Sequence, residues 1–263
     1  MQYPVKTSGK FRYIEKGQGP NLLLIHGLMG ALSNWGGVVD YFSNRYRVFI
    51  PLLPISSGEP PLTTVEDLSE FILEFMDDQG LATASLIGNS LGGHIGLLIA
   101  ANAAKRVETL TLTGSSGLYE AAMGGGFIRR GDYDYIKERC EFTFYEPKVA
   151  SEELIQDVFE LVNNRPAAMR VVRIARDAQR MNMSEEIKHI HTPTCLIWGL
   201  NDNITPPKVA HEFHALLPNS ELHFLDRCGH APMMERKEPF NRILDDFLQK
   251  HVMPVEPKAV NVS

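Results

Sequence analysis

The chain alternates between short apolar runs and longer amphipathic stretches. Residues 11–15, 22–25, 48–51, 84–87, 107–113, 194–198 and 221–225 are short, apolar and partly β-branched, and each reads as a strand. Between them, residues 34–42, 65–78, 91–104, 208–217 and 239–250 carry helical patterns. Strands that alternate with helices argue an α/β fold, a mostly parallel sheet with helices on both faces. In such a sheet, ligands bind beyond the carboxyl ends of the strands.

From residue 118 to residue 190 the alternation stops. Residues 151–163 and 167–181 have helical patterns, and no stretch reads as a convincing strand. The expected organisation is a sheet domain in two parts, 1–117 and 191–252, interrupted by a helical cap at 118–190. A cap of this kind would supply most of a substrate pocket and exclude water. Met123-Gly124-Gly125-Gly126-Phe127 reads as a hinge or only as a loop. Residues 253–263 hold two prolines and little periodicity, and are expected to be a disordered tail.

One of the strands runs into unusual chemistry. In Leu86-Ile87-Gly88-Asn89-Ser90-Leu91-Gly92-Gly93-His94, a buried strand meets a glycine-flanked serine and then a helix. A serine hydroxyl is a poor nucleophile, so it must be lifted clear of the sheet and handed to a base. A sharp strand-to-helix turn lifts it. Bulky residues at 88 and 92 would collide across that turn, and glycine removes the collision. The helix that follows aims its N–H end at the site and favours negative charge there.

Two further strand ends carry an acid and a base. After 194–198 comes Gly199-Leu200-Asn201-Asp202-Asn203-Ile204-Thr205-Pro206, and after 221–225 comes Asp226-Arg227-Cys228-Gly229-His230-Ala231-Pro232. Read alone, Asp202 is an ordinary turn residue and His230 one loop histidine among nine. Read together, at successive strand ends, they form a set: Ser90 as nucleophile, His230 as its base, and Asp202 to hold the imidazole in the right tautomer. The strand at 107–113 is followed by Gly114-Ser115-Ser116-Gly117, with no carboxylate before Glu120, which strengthens Asp202 as the acid.

With the order serine, acid, histidine, the chain from about Phe11 to His251 resembles the α/β-hydrolase superfamily. Leu22-Leu23-Leu24-Ile25-His26-Gly27-Leu28-Met29-Gly30 is similar to the family's strand and oxyanion loop. By that resemblance, the backbone N–H groups of Leu28 and Leu91 form the oxyanion hole. His26 reads as a brace for this loop rather than a second base. Within the superfamily, the elbow, Ile197-Trp198-Gly199 and Cys228-Gly229-His230 most resemble meta-cleavage-product hydrolases, which cut carbon–carbon bonds of vinylogous diketo acids.

Several features depart from that subfamily. The loop reads Leu28-Met29-Gly30-Ala31 in place of a Gly-Pro-Gly turn, and Ala231-Pro232-Met233-Met234 follows His230 where a tryptophan is usual. Residues 151–164 contain no arginine to grip an acidic substrate, and Pro51-Leu52-Leu53-Pro54-Ile55-Ser56-Ser57-Gly58 replaces the usual Asp-x-x-Gly-x-Gly. These departures point to a less specialised esterase.

Composition narrows the rest. A chain of 263 residues, 44% hydrophobic, can bury a large core. A net charge of −6 advertises no face for nucleic acid. No apolar run approaches the roughly 20 residues that span a bilayer, and residues 1–6 lack the pattern of a signal peptide. Cys140, Cys195 and Cys228 read as reduced thiols of a cytoplasmic protein, and no spacing suggests a metal or a cofactor. Met169, Met181, Met183, Met233 and Met234 read as ordinary core before pocket lining, and Arg170, Arg173, Arg176 and Arg180 as a solvated helix face.

The expectation is a serine esterase acting on a small-molecule ester through an acyl-enzyme, with homo-oligomer formation left open. The alternatives are a carbon–carbon hydrolase of the meta-cleavage type, a perhydrolase side activity of the same site, or a noncatalytic ligand receptor on this fold.

Overall fold

A computed structural model of the chain describes residues 3–30, 35–55, 61–119 and 129–252. The glycine-rich segment 123–127, the start of the expected helix at Asn34 and the expected tail at 253–263 lie outside the described residues.

All seven expected strands form. They are β2 (Phe11–Lys16), β3 (Asn21–Ile25), β4 (Arg47–Pro51), β5 (Ala84–Asn89), β6 (Val107–Thr113), β7 (Thr194–Gly199) and β8 (Ser220–Leu225). One more, β1 (Lys6–Ser8), pairs antiparallel with β2 through Lys6–Tyr13 and Ser8–Phe11. The sheet order is β1-β2-β4-β3-β5-β6-β7-β8. β2 pairs antiparallel with β4, and every pairing beyond that is parallel. The carboxyl ends of β5 to β8 therefore share one edge.

Alternate strand residues feed two separate cores. Leu23, Ile25, Leu86, Leu196 and Trp198 pack on one face with α2 (Val65–Asp78), α3 (Leu91–Asn102) and α7 (Pro207–Leu216). Leu22, Leu24, Ile87, Cys195 and Ile197 pack on the other with α1 (Gly36–Phe42) and α9 (Lys237–His251). α3 is buried nearly all round, as its continuous apolar sequence requires. The capping box of α2 is complete: Asp67 N–H donates to Thr64 Oγ1 and Thr64 N–H to Asp67 Oδ2, each at 3.0 Å.

Between β6 and β7 the described chain is helical: α4 (Tyr133–Phe142), α5 (Glu152–Asn163) and α6 (Arg165–Arg180). Ser151 caps α5 and Asn164 caps α6. α6 starts two residues before its expected position, because Pro166 is tolerated in a first turn. α5 and α6 are amphipathic, and their buried residues pack on opposite cores: Val158 and Val162 with one, Val171 and Ile174 with the other. The insertion thus sits across the carboxyl edge of the sheet rather than on one face. A short helix, α8 (Pro232–Glu235), precedes α9.

Candidate active site

Ser90 stands at the turn between β5 and α3 with φ 55° and ψ −118°, a conformation costly for any residue but glycine, at about 1–3 kcal/mol. Backbone hydrogen bonds hold it there. Ser90 N–H donates to Thr113 O at 3.1 Å, and Ser90 O accepts from Gly93, His94 and Ser116 N–H at 3.0–3.2 Å. A Cβ at Gly88 would lie 2.3 Å from Gly92 O, so Gly88 clears the turn as expected. Gly92 has a different task. A Cβ there would lie 2.1 Å from Ile25 O, so Gly92 lets α3 approach β3.

The expected acid and base meet. His230 Nδ1 lies 3.0 Å from Asp202 Oδ2 and 3.1 Å from Oδ1. Both residues are buried. Asp202 also accepts from Ile204 N–H, Thr205 N–H and the Thr205 hydroxyl at 2.8–2.9 Å, so its charge is held by directed donors. The two loops are stitched together, with Leu200 N–H donating to Leu225 O and Asn201 N–H to Cys228 O. Asn89, beside Ser90, donates to both Thr113 O and His230 O. Asp226, also in the loop after β8, is exposed and accepts from Arg227 N–H.

Ser90 and His230 open onto one cavity of about 80 Å³, with Leu28 on its wall. Gly30 N–H donates to Gly27 O at 3.0 Å, a turn that leaves the Leu28 amide outside its own hydrogen bond. This turn lies against Ser90, since a Cβ at Gly27 would fall 3.2 Å from Ser90 Cβ. Leu91 is the first residue of α3, so its N–H belongs to the donors that a helix start leaves without an internal partner. His26 braces the loop as expected. Its Nδ1–H donates to Gly27 O at 2.8 Å, while Leu53 N–H donates to Nε2 at 3.2 Å. That pairing requires the neutral ring, and burial lowers its pKa accordingly.

The cavity wall comes from Cys140, Thr143, Phe144, Leu154, Val158 and Met234, of which the sequence offers only Met234 and Val158. Of the five methionines singled out, Met183 and Met233 are core, Met181 is half-buried against the core, Met169 is exposed and Met234 alone lines the cavity. Of the arginines expected on a solvated face, Arg173, Arg176 and Arg180 are exposed but Arg170 is half-buried; Arg165 is exposed, and no arginine is among the described residues lining the cavity. All three cysteines are free and buried, and burial pushes each thiol up. One grouping escaped the search for metal spacing. Cys195, Glu221 and His223 place ligand atoms within 4.8 Å of one another, because β7 and β8 bring together residues far apart in sequence. Glu221 already pairs with Lys250 at 3.3 Å.

The family model for the α/β hydrolase fold matches residues 20–237. An α/β hydrolase enzyme from the metagenome of lagoon sediments at Mar Chica, Morocco, is 39% identical with a TM-score of 0.77, over 94% of this chain and 98% of that one. A 2-hydroxy-6-oxononadienedioate/2-hydroxy-6-oxononatrienedioate hydrolase of Pseudomonas putida is 27% identical over 91% of this chain and 92% of its own length. The dihydrolipoyllysine-residue acetyltransferase component of an acetoin-cleaving system from Pseudomonas putida is 30% identical over 89% of this chain, but this chain spans only 64% of that relative. No helix among the described residues is long and apolar enough to cross a membrane. With the family match running through nearly the whole sheet and its helical insertion, the chain belongs to the α/β-hydrolase-fold family and is an enzyme of its hydrolase class.

Proposed function

We propose that this enzyme hydrolyses a small ester through an acyl-enzyme. Ser90 Oγ attacks the ester carbonyl and His230 takes its proton. Asp202 fixes the imidazole tautomer and stabilises the imidazolium that forms. The amides of Leu28 and Leu91 receive the developing oxyanion. His230 then protonates the departing alcohol. In the second half it draws a proton from water, which attacks the acyl-enzyme and releases the acid. The segment 118–190 acts as a cap: it contributes Cys140, Phe144, Leu154 and Val158 to the apolar wall and shields the acyl group from water.

The observation that carries this reading is the His230–Asp202 pair at 3.0 Å, opening with a strained Ser90 onto one apolar cavity. The apolar lining of the cavity supports an uncharged acyl group, and a second cavity of about 520 Å³ adjoins it, sharing Leu28, Met29, Gly30 and Val158. Carbon–carbon hydrolysis is the second reading, favoured by the 27% identical dienedioate hydrolase.

The test is p-nitrophenyl acetate turnover together with fluorophosphonate labelling. Wild type is expected to do both and Ser90→Ala neither, with unchanged thermal unfolding. Labelling of Ser90→Ala at the wild-type rate would place the nucleophile elsewhere.

A further inference from the structure

Five residues after His230, at the end of α8, a half-buried carboxylate joins two parts of the molecule. Glu235 Oε1 accepts from Gly229 N–H at 2.8 Å, in the loop that carries His230. Glu235 Oε2 accepts from Tyr145 N–H at 2.7 Å, in the helical insertion just past α4. Between these bonds lies a third: His230 N–H donates to Thr143 O at 3.0 Å. Two of these hydrogen bonds fasten the segment 143–145 to the segment 229–235, and the other, Gly229 N–H to Glu235, closes the loop that carries His230. Thr143 and Phe144 line the cavity with His230, so the wall and the imidazole hang from the same clamp.

We propose that Glu235 is a positioning residue that holds His230 and the Thr143–Phe144 wall in one geometry, and so sets acyl-chain selectivity as well as rate. The proposal rests on the ester-hydrolase reading. Glu235 does not line the cavity and acts through backbone amides, those of Tyr145 and Gly229 foremost. A carboxylate suits the task because both donors are N–H groups and both of its oxygens accept. Glutamine has one acceptor and one N–H₂, so it would set a donor against one of the two amides. Aspartate keeps the charge but is a methylene too short to span both.

Glu235→Gln and Glu235→Asp are to be compared with wild type in three measurements. The first is kcat and KM for acetyl, butyryl and hexanoyl p-nitrophenyl esters. The second is the rate of fluorophosphonate labelling at Ser90, and the third is amide exchange at Tyr145 and Gly229. The expected results are a roughly tenfold fall in kcat for the acetyl ester, a shift of preference toward longer chains, slower labelling and faster exchange at both amides. A lower melting temperature with kcat, chain-length preference and labelling rate all unchanged would reduce Glu235 to a structural role and overturn the proposal. If wild type turned over no ester, the ester reading would fail, yet labelling and exchange would still judge the clamp.

Discussion

Asp202 Oδ2 faces both His230 Nδ1, at 3.0 Å, and the Thr205 hydroxyl, at 2.8 Å. Its partner Oδ1 receives two backbone amides. The carboxylate is therefore fixed before any substrate arrives, and no reorganisation is needed when the imidazole becomes charged. Replacing it by an amide keeps the shape but can set an N–H₂ against Nδ1, which favours the wrong tautomer. Asp202→Asn is expected to fold normally and to lose about 10⁴-fold in kcat. Steady-state ester kinetics with circular dichroism checks this, and near-normal turnover would move the acid elsewhere.

Thr205 is a smaller lever on the same group. Its hydroxyl donates to Asp202 and sits 3.4 Å from His230 Nδ1, while Trp198 Nε1–H anchors its carbonyl at 2.7 Å. Valine preserves the branched shape and the backbone contacts but removes the donor. Thr205→Val is expected to lower kcat about tenfold, in line with one hydrogen bond to a charged group, and to leave KM nearly unchanged. A change confined to KM would show that the hydroxyl serves binding instead.

The site was readable in the sequence where the physics is local. β5 is buried on both faces, so its apolar run is continuous, and Ser90 follows it between small residues. Asp202 follows a strand of the same kind, and His230 follows the half-buried β8. Other features depend on tertiary placement. β1 is three residues, largely polar, and exists only through its pairing with β2. α4 buries only Ile136 and Cys140, too few for a clear helical stripe. Glu235 reads as an ordinary helix-end acid until Tyr145, 90 positions earlier, is brought to it. Gly92 looks like a turn glycine, and only the closeness of β3 shows what it clears.

His94 gives a prediction about stability. It follows Ser90 by one turn of α3, is fully buried, and neither ring nitrogen has a hydrogen-bond partner among the described residues. Burial lowers its pKa to about 4. The unfolded chain binds the proton more tightly, at a usual pKa of about 6.5, so the stabilisation is complete above that pH. It is lost as pH falls from about 6.5 toward 4, at up to about 1.4 kcal/mol per pH unit and roughly 3 kcal/mol in all. His26, also depressed by burial, adds loss in the same direction. Urea unfolding at pH 7, 5.5 and 4.5 is expected to show a falling midpoint, and His94→Leu a shallower fall. An equal slope in the variant would assign the loss to other groups.

Substrate class is the most consequential prediction. The elbow sequence and the 27% identical dienedioate hydrolase favour cleavage of a charged diketo acid. The cavity favours the opposite. A diketo acid must be gripped by its carboxylate, and a guanidinium does this best because it binds and orients in one fork. Among the described residues lining the cavity there is no arginine or lysine, and α5 presents Leu154 and Val158 to it. An apolar wall rewards uncharged acyl groups, at roughly 0.8 kcal/mol for each buried methylene, until the space of about 80 Å³ is filled. Short-chain esters are therefore expected to show a higher kcat/KM than a vinylogous diketo acid. Leu154→Ala enlarges the wall without touching Ser90, Asp202 or His230, and should move the optimum to longer chains while leaving fluorophosphonate labelling intact. A higher kcat/KM for the diketo acid would overturn the ester assignment. The search would then turn to Lys10 and Arg12, which line the adjoining cavity that shares Leu28, Met29, Gly30 and Val158 with this one.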